Sequence, residues 1–439
     1  MQNFFTPKSI VIIGVSKDPK KVGHIIFKNL YKKFKVYPVH PNETTILGEK
    51  AYAHIENIPQ HIDLAIIAIP AKSVIRAVRE CGRKGIRHCI IVSSGFKEIG
   101  NNSLEYELAK ALEEYNMKCV GPNCLGVFDA HSGLDSLFLP VKKLTRPKAG
   151  GISFISQSGA VGSAVLDLLA DEHLGFAKFI SYGNGTNVQE FDYLNYLGKD
   201  PQTKVICMYV EGIQEGRKFM DAAKKIKKPI ILLKGGRSEH GAKATLSHTG
   251  SLAGSYEIYK AACEQSGIIV SESLEEVFDI AKLFEMLPKP KGKRVQVITN
   301  GGGYGILTID ECEAQKVHLA EMSSHTREFL KHHVPKIVTI ANPIDLVGDT
   351  TNERYGLTLK MCVDDKKSDI IILIILHQTP LIDENIVEVV KKHTGKKPII
   401  VISTGGKQTK ILSKRFEEAR IPVFTFPKDA VSAIKKWVE

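Results

Sequence analysis

The chain has 439 residues, 43% of them hydrophobic and 25% charged, with a formal net charge of +12. That length is enough for about two to four well-buried domains of ordinary globular composition. The positive charge is spread along the chain, and no aromatic-rich ribonucleoprotein motif or zinc finger occurs, so nucleic acid is excluded as a partner in favour of anionic small ligands or a more acidic protein subunit.

The N-terminus, Met1-Gln2-Asn3-Phe4-Phe5, has no basic stretch ahead of an apolar one, so no signal peptide is expected. Val/Ile-rich segments at 9–15, 36–39, 63–69 and 88–94 read as short strands, separated by helical patterns at 73–82 and 104–115. Strands alternating with helices predict βαβ units and a parallel sheet. This first domain spans 1–128, and 129–150 reads as a linker, poor in periodicity and bearing Pro140, Pro147 and Gly150-Gly151. A second α/β domain follows over 151–287, with strands at 151–156, 177–181, 204–210 and 229–234 and helices at 160–172 and 187–198. A segment rich in small residues, 236–254, precedes helices at 255–264 and 274–286. The Pro/Lys stretch 288–293 reads as a second linker. The third domain, 294–439, has strands at 295–299, 369–376, 398–402 and 421–425 and a final helix at 428–438. The run 370–376 is the longest apolar stretch; it is too short to span a bilayer and reads as a buried central strand. No membrane association is expected, and the eight cysteines contain no CxxC pair, which fits reduced thiols in a cytoplasm.

Three strands run straight into Gly-containing turns. The first, Gly14-Val15-Ser16, lacks the second glycine of GxGxxG, which weakens a dinucleotide reading and leaves a simple packing turn at even odds. Further strand-end turns at Ala68-Ile69-Pro70, Ser93-Ser94-Gly95-Phe96 and Gly121-Pro122-Asn123-Cys124 should lie on the same carboxyl edge. Ligands bind there in such sheets, and this edge suits a nucleotide-like molecule. The second and third runs share a register: Gly159 aligns with Gly302, Gly162 with Gly305 and Asp167 with Asp310. Ser156-Gln157-Ser158-Gly159 and Asn300-Gly301-Gly302-Gly303 would each place unpaired N–H groups and the positive end of a helix dipole at a turn, an arrangement that binds phosphate. The bland reading of the serines is an N-cap. Three successive glycines instead imply a close backbone approach to a ligand or another chain.

His248 sits in Ser247-His248-Thr249-Gly250, among small and hydroxyl-bearing residues. A histidine so placed is a candidate nucleophile for a phosphoryl group. Glu211, in Tyr209-Val210-Glu211-Gly212, is the candidate carboxylate to orient it, with a helix-start acid as the bland alternative. His332-His333, His54 and His61 lack ligand spacing and read as surface residues, and no metal site is expected. Asn342-Pro343-Ile344-Asp345-Leu346 reads as a turn whose role the residues leave open.

These segments resemble the alpha subunit of the ADP-forming acyl-CoA synthetases, distant relatives of succinyl-CoA synthetase, over essentially the whole chain. The carriers are Ile12-Ile13-Gly14-Val15-Ser16, Gly121-Pro122-Asn123-Cys124-Leu125-Gly126, Tyr182-Gly183-Asn184, Leu233-Lys234-Gly235-Gly236-Arg237 and, most specifically, Ser247-His248-Thr249-Gly250-Ser251-Leu252-Ala253-Gly254. The resemblance implies an N-terminal Rossmann-like CoA-binding domain followed by two flavodoxin-like parallel-sheet domains. It implies acyl-CoA + ADP + phosphate ⇌ acid + CoA + ATP, through an acyl phosphate and a phosphohistidine. CoA would contact Gly14, Ser16, Lys17, Pro70, Ser93, Ser94, Gly95, Asn123 and Cys124. His248 would carry the phosphoryl group, Glu211 would hold the imidazole, and the turns 156–159 and 300–303 would hold the phosphate. The nucleotide and Mg²⁺ would bind an ATP-grasp beta subunit in an α2β2 assembly. One departure stands out: Gly185-Thr186-Asn187-Val188-Gln189-Glu190 replaces most of a Lys/acidic stretch of the family, which implies a change in acyl preference or subunit contact. An NAD-type oxidoreductase and a non-catalytic CoA-sensing scaffold are the alternative readings. The missing second glycine weighs against the first, and the intact His248 and Glu211 weigh against the second.

Overall fold

The computed structural model describes residues 1–172, 174–243 and 255–439. It forms two compact units, Met1–Glu272 and Ser273–Glu439. In the first unit, β1 (Ser9–Ile13), β2 (Lys35–Val39), a short hairpin of β3 (Thr45–Ile46) and β4 (Glu49–Lys50), β5 (Leu64–Ile67), β6 (His88–Ile91) and β7 (Lys118–Val120) alternate with helices α1 (Val22–Leu30), α2 (Ala71–Arg83) and α3 (Asn102–Glu114). The main sheet is parallel with order β2-β1-β5-β6-β7. All five residues of β1 are buried, because helices cover both faces of a central parallel strand.

The second sheet of this unit contains β8 (Gly126–Asp129), β9 (Leu134–Asp135), β10 (Ala149–Ser156), β11 (Phe176–Ser181), β12 (Val205–Val210), β13 (Ile230–Lys234) and β14 (Ile269–Ser271), with helices α4 (Gly159–Asp171), α5 (Glu190–Lys199) and α6 (Gly216–Ala223). Its order is β14-β13-β12-β10-β11-β8-β9. After β7 the chain does not return to the first sheet. Instead β8 pairs antiparallel with β11, so the stretch around 126–135, with its two short strands, extends the second sheet. A buried ion network fastens this crossing: Lys178 Nζ lies 2.9 Å from Asp200 and 3.4 Å from Asp129. Breaking one partner of such a network leaves a buried charge uncompensated.

The second unit has β15 (Val295–Thr299), β16 (Ile344–Asp345), β17 (Ile370–Ile374), β18 (Ile399–Ile402) and β19 (Val423–Phe424) in the parallel order β16-β15-β17-β18-β19. β17 is fully buried between β15 and β18, the central strand that its apolar run predicts. Helix Leu274–Met286 packs here against the last helix, Pro427–Val438, with Lys282 donating to the Val423 carbonyl at 3.1 Å. Numbered within each domain, all three sheets share one doubly wound parallel order, 2-1-3-4-5, with the crevice between the first and third strands. The repeat is visible in space. α4 and helix Gly302–Ala314 both start at the aligned glycine. The second aligned pair is there for packing: a Cβ on Gly162 would lie 2.5 Å from Phe179, and one on Gly305 would lie 3.0 Å from Thr299.

All eight cysteines are free and buried. Among the described residues no helix is long and apolar enough to cross a membrane. His377 and His88 should make the fold acid-sensitive. Both ring nitrogens of His377 are buried without a hydrogen-bond partner among the described residues, and burial lowers its pKa from 6.5 to about 4. Burial, then the nearby N-terminal amine, lowers His88 to about 4 as well. The unfolded chain therefore binds these protons first. Their contribution to stability should be complete above about pH 6.5 and be lost as pH falls from about 6.5 to 4, by on the order of 1–3 kcal/mol for each residue after allowance for partial exposure. Urea midpoints measured across that window check this, and His377→Phe should flatten the slope.

Candidate functional site

The strand ends of the first sheet form one continuous edge, in sheet order. A Cβ on Gly14 would lie 2.4 Å from the Ala68 carbonyl, so this glycine is required by packing of the first turn on the end of β5. Ser93 Oγ donates to the Ile69 carbonyl at 2.5 Å, and the Asn123 N–H donates to the Ser93 carbonyl at 2.9 Å. Gly14, Pro70, Ser93, Ser94, Gly95 and Asn123 are thus brought together. Ser16 Oγ accepts from the Asp18 N–H at 3.1 Å, and the exposed Lys17 pairs with Glu43 at 2.5 Å. Cys124 differs from its neighbours. It is 3% exposed, its thiol donates inward to the Ile91 carbonyl at 3.3 Å, and burial pushes its pKa up to about 12. Its side chain is therefore committed to the interior and not to the expected CoA contact.

The turn after β10 and the turn after β12 interlock. Gln157 Oε1 accepts the N–H groups of Glu211 at 2.7 Å and Gly212 at 3.1 Å. Ser156 is fully buried, and its hydroxyl donates to the Ser158 carbonyl at 2.7 Å. Ser158 Oγ caps α4 by accepting the Val161 N–H at 3.3 Å. Both serines therefore shape the turn with their side chains. What remains for an anion is the first-turn backbone of α4 around Gly159, with the helix dipole behind it.

Glu211 is 7% exposed and stands beyond the end of β12, while the next helix, α6, begins only at Gly216. The helix-start reading of this acid is therefore not what the chain does with it. Tyr209, two residues back on the same face, donates its hydroxyl to Glu211 Oε1 at 3.3 Å, and burial, then Glu211, pushes the tyrosine up to about 12. Beneath the turn, Lys234 is 4% exposed and donates to the carbonyls of Glu211, at 2.6 Å, and Gly235. Burial lowers its pKa, opposed by the charge of Glu211. A Cβ at Gly235 would come within 2.7 Å of the Tyr209 hydroxyl and 3.3 Å of Glu211 Cγ. Tyr209 thus contacts the carboxylate, Gly235 leaves room for it, and Lys234 ties down the backbone carbonyl of Glu211. His248 and residues 244–254 lie outside the described residues.

In the second unit, the side chain of Asn300 is tied to the end of β17. It donates to the Leu376 carbonyl and to Thr379 Oγ1, both at 3.0 Å, and accepts the Leu376 N–H at 2.9 Å. A Cβ on Gly301 would meet Leu376 at 2.5 Å, and one on Gly302 would meet Asp345 Oδ2 at 2.6 Å. The close approaches that these two glycines permit are therefore to the chain's own side chains. Gly303 alone faces open space. The carboxylate of Asp345 stands beside this helix start, so an anion there would meet a negative charge as well as the dipole. Asn342 is a brace: its Oδ1 accepts the Val297 N–H at 3.0 Å and its Nδ2 donates to the Val295 carbonyl at 2.8 Å.

Three family models match in sequence: a CoA binding domain over residues 8–130, a succinyl-CoA ligase-like flavodoxin domain over 149–284 and a Ligase-CoA domain over 295–437. The chain is 39% identical to the alpha subunit of the ADP-forming acetate–CoA ligase II of Pyrococcus furiosus, covering 98% of this chain and 95% of that one. The chain belongs to the ADP-forming acyl-CoA ligase family. A second member, the ADP-forming acetate–CoA ligase I of Archaeoglobus fulgidus, is 40% identical over 99% of this chain, which spans 63% of that longer protein. Among solved structures, an acetyl-coenzyme A synthetase 1 of Ca. Korarchaeum cryptofilum, in complex with phosphate and ADP, superposes with a TM-score of 0.94 at 35% identity, covering 99% of this chain and 96% of that one.

The sequence reading names Tyr209 and Lys234 within motifs of this ligase-family chain but assigns neither a role around Glu211. Tyr209 was legible as the period-2 neighbour of Glu211. Lys234 was legible as a lysine closing a run of four apolar strand residues. Several residues of the altered segment 185–190 are tied down within the chain. Thr186 donates to Glu105 at 2.9 Å, the Cys119 N–H donates to Asn187 at 2.9 Å, and Glu190 accepts the Tyr182 hydroxyl at 2.7 Å. Thr186 and Asn187 join the second sheet to the first within the same chain, while Glu190 stays within the second.

Proposed function

We propose that this chain is the CoA-binding, phosphohistidine-carrying part of an ADP-forming acyl-CoA ligase, acting on acyl-CoA + ADP + phosphate ⇌ carboxylic acid + CoA + ATP. The observation that carries this reading is the interlocked pair of turns, with the start of α4 and a buried, braced Glu211 together in one unit beside a CoA-type sheet edge. The acyl-CoA lies along the edge from Gly14 to Asn123. A phosphate oxygen, held at the start of α4, attacks the thioester carbonyl; the C–S bond breaks and CoA leaves as its thiol. An imidazole nitrogen of His248 then attacks phosphorus, the P–O bond to the acyl group breaks, and the carboxylate leaves. Glu211 accepts the other imidazole N–H and stabilises the cation as the phosphoryl group arrives. In the second unit, the turn at Asn300–Gly303 offers a further anion end, mainly through the backbone near Gly303.

The nucleotide and Mg²⁺ are assigned to a separate ATP-grasp subunit in a hetero-oligomer of α2β2 type, in the cytoplasm. The Pyrococcus relative, covered to 95%, is named a subunit alpha, which supports a partner subunit. Among the described residues no three His, Cys, Asp or Glu side chains form a metal-holding group. The test is incubation of the purified chain with acetyl-CoA and radiolabelled phosphate, without nucleotide. The expected product is an acid-labile, base-stable phosphoprotein that passes no phosphoryl group to ADP until the partner is added. A chain that takes no label under saturating acyl-CoA would overturn the reading.

A further inference from the structure

One side-chain amide, that of Asn184, lies among the hydrogen bonds that join the first and second sheets of the N-terminal unit. Asn184 follows β11 and is 8% exposed. Its Nδ2 donates to Glu98 Oε2 and to Glu105 Oε2, both at 2.8 Å. Its backbone carbonyl accepts from Lys97 Nζ at 2.7 Å, its side-chain Oδ1 accepts from Asn123 Nδ2 at 3.4 Å, and its backbone N–H donates to the Pro122 carbonyl at 3.0 Å. Glu98 in turn accepts the N–H groups of Gly95 at 2.5 Å and Phe96 at 3.1 Å, so the same carboxylate closes the turn Ser94-Gly95-Phe96. On the far side of the loop from Pro122 to Leu125, the Leu125 N–H donates to Ser181 Oγ at 3.1 Å. There the Leu125 side chain lies 3.5 Å from where a Cβ on Gly159 would stand.

Apolar packing would suffice to hold two domains together. Two carboxylates converging on one amide are costly to bury, and Lys97, 3.2 Å from Glu105, offsets only part of that charge. Directional hydrogen bonds from charged acceptors fix orientation, which apolar contacts do not. We propose that Asn184 is a positioning residue: it holds the Gly95 turn and the Asn123–Cys124 loop, where acyl-CoA lies, in register with the start of α4, where the attacking phosphate lies. The inference rests on the proposed reaction and adds to it the device that aligns the two reactants. Misplacing reacting atoms by about 1 Å lowers a rate by about 10²-fold while leaving binding of either reactant intact.

The experiment compares wild type, Asn184→Ala, Asn184→Asp and the double variant Asn184→Asp/Glu98→Gln. It reads CoA affinity by calorimetry, single-turnover phosphoprotein formation at saturating acyl-CoA and phosphate, and amide hydrogen exchange over 121–125. Asn184→Ala should keep the CoA affinity of the wild type, slow labelling by roughly 10- to 100-fold and speed exchange over 121–125. Asn184→Asp should be slower still, with three carboxylates facing one another. The double variant restores a donor at 98 and an acceptor at 184 and should recover part of the rate, which a damaged fold would not. Wild-type labelling in Asn184→Ala, a loss explained wholly by weaker CoA binding, or no recovery in the double variant would overturn the proposal. A wild-type chain that takes no label would refute the reaction instead; exchange then decides, and unchanged exchange in Asn184→Ala would dispose of the joint.

Discussion

His248→Ala should abolish phosphoprotein formation, a loss on the order of 10³-fold or more, the scale on which removing a covalent nucleophile acts. No neighbouring residue replaces an imidazole as a phosphoryl carrier in that polar segment. CoA affinity should be unchanged, because the candidate CoA edge belongs to the first sheet. Glu211→Gln grades the same measurement. The substitution is nearly isosteric, and the Tyr209 hydroxyl retains an acceptor. What disappears is the charge that stabilises the imidazolium, worth about 1.5–3 kcal/mol for a charge-assisted hydrogen bond, or roughly 10- to 150-fold in rate. Rapid labelling of His248→Ala would move the phosphoryl group to another residue. Wild-type labelling rates in Glu211→Gln would reduce that acid to a brace for the turn.

Gly183→Ala should be among the most destabilising single substitutions in the N-terminal unit. Gly183 has φ +56°, and a Cβ there would lie 2.1 Å from the Asn123 carbonyl and 2.4 Å from that of Pro122. The left-handed backbone alone costs a residue with a side chain roughly 1–2 kcal/mol. The clash is with backbone, which cannot swing aside, so strain of about 1–3 kcal/mol should be added. Gly85→Ala is the control. It also has a positive φ, +89°, but nothing lies within 4 Å of its Cβ position. Only the backbone term of roughly 1–2 kcal/mol then applies. Urea unfolding of the two variants should show the larger loss at Gly183, accompanied by a weakened CoA site, since the displaced loop carries Asn123. Equal losses would mean that the loop yields and the junction is soft.

The alternation of apolar strands with amphipathic helices, and the shared Gly register of 159/302 and 162/305, make the parallel doubly wound plan readable in one dimension. β15 and helix Leu274–Met286 fall on the residues that the pattern predicts. The signal is local: a period of two or of 3.6, and a breaker at the end. Short strands such as β8, β14 and β16 carry too few residues to show a period. β8 joins the second sheet because β11 offers it an edge and Lys178 a charge partner, 49 positions on from Asp129, and no local pattern encodes that pairing.

The candidate site divides along the same line. Residue type and spacing alone mark the strand-end turns, His248 with its small neighbours, and Glu211, because each is a local chemical feature. Which atoms of those turns remain for a ligand is decided in three dimensions. Ser156, Gln157, Ser158 and Asn300 commit their side-chain atoms to the turns themselves, and Cys124 turns its thiol into the core. Asp345 comes to stand by Gly302 only because β16 pairs with β15. The segment 185–190, which by sequence is merely unusual, acquires its meaning from Glu105 and Cys119, residues about 70 to 80 positions away that the fold brings within hydrogen-bond reach. Chain order determines which groups are present; only the packing of one sheet against the next determines which of their donors and acceptors remain for a substrate.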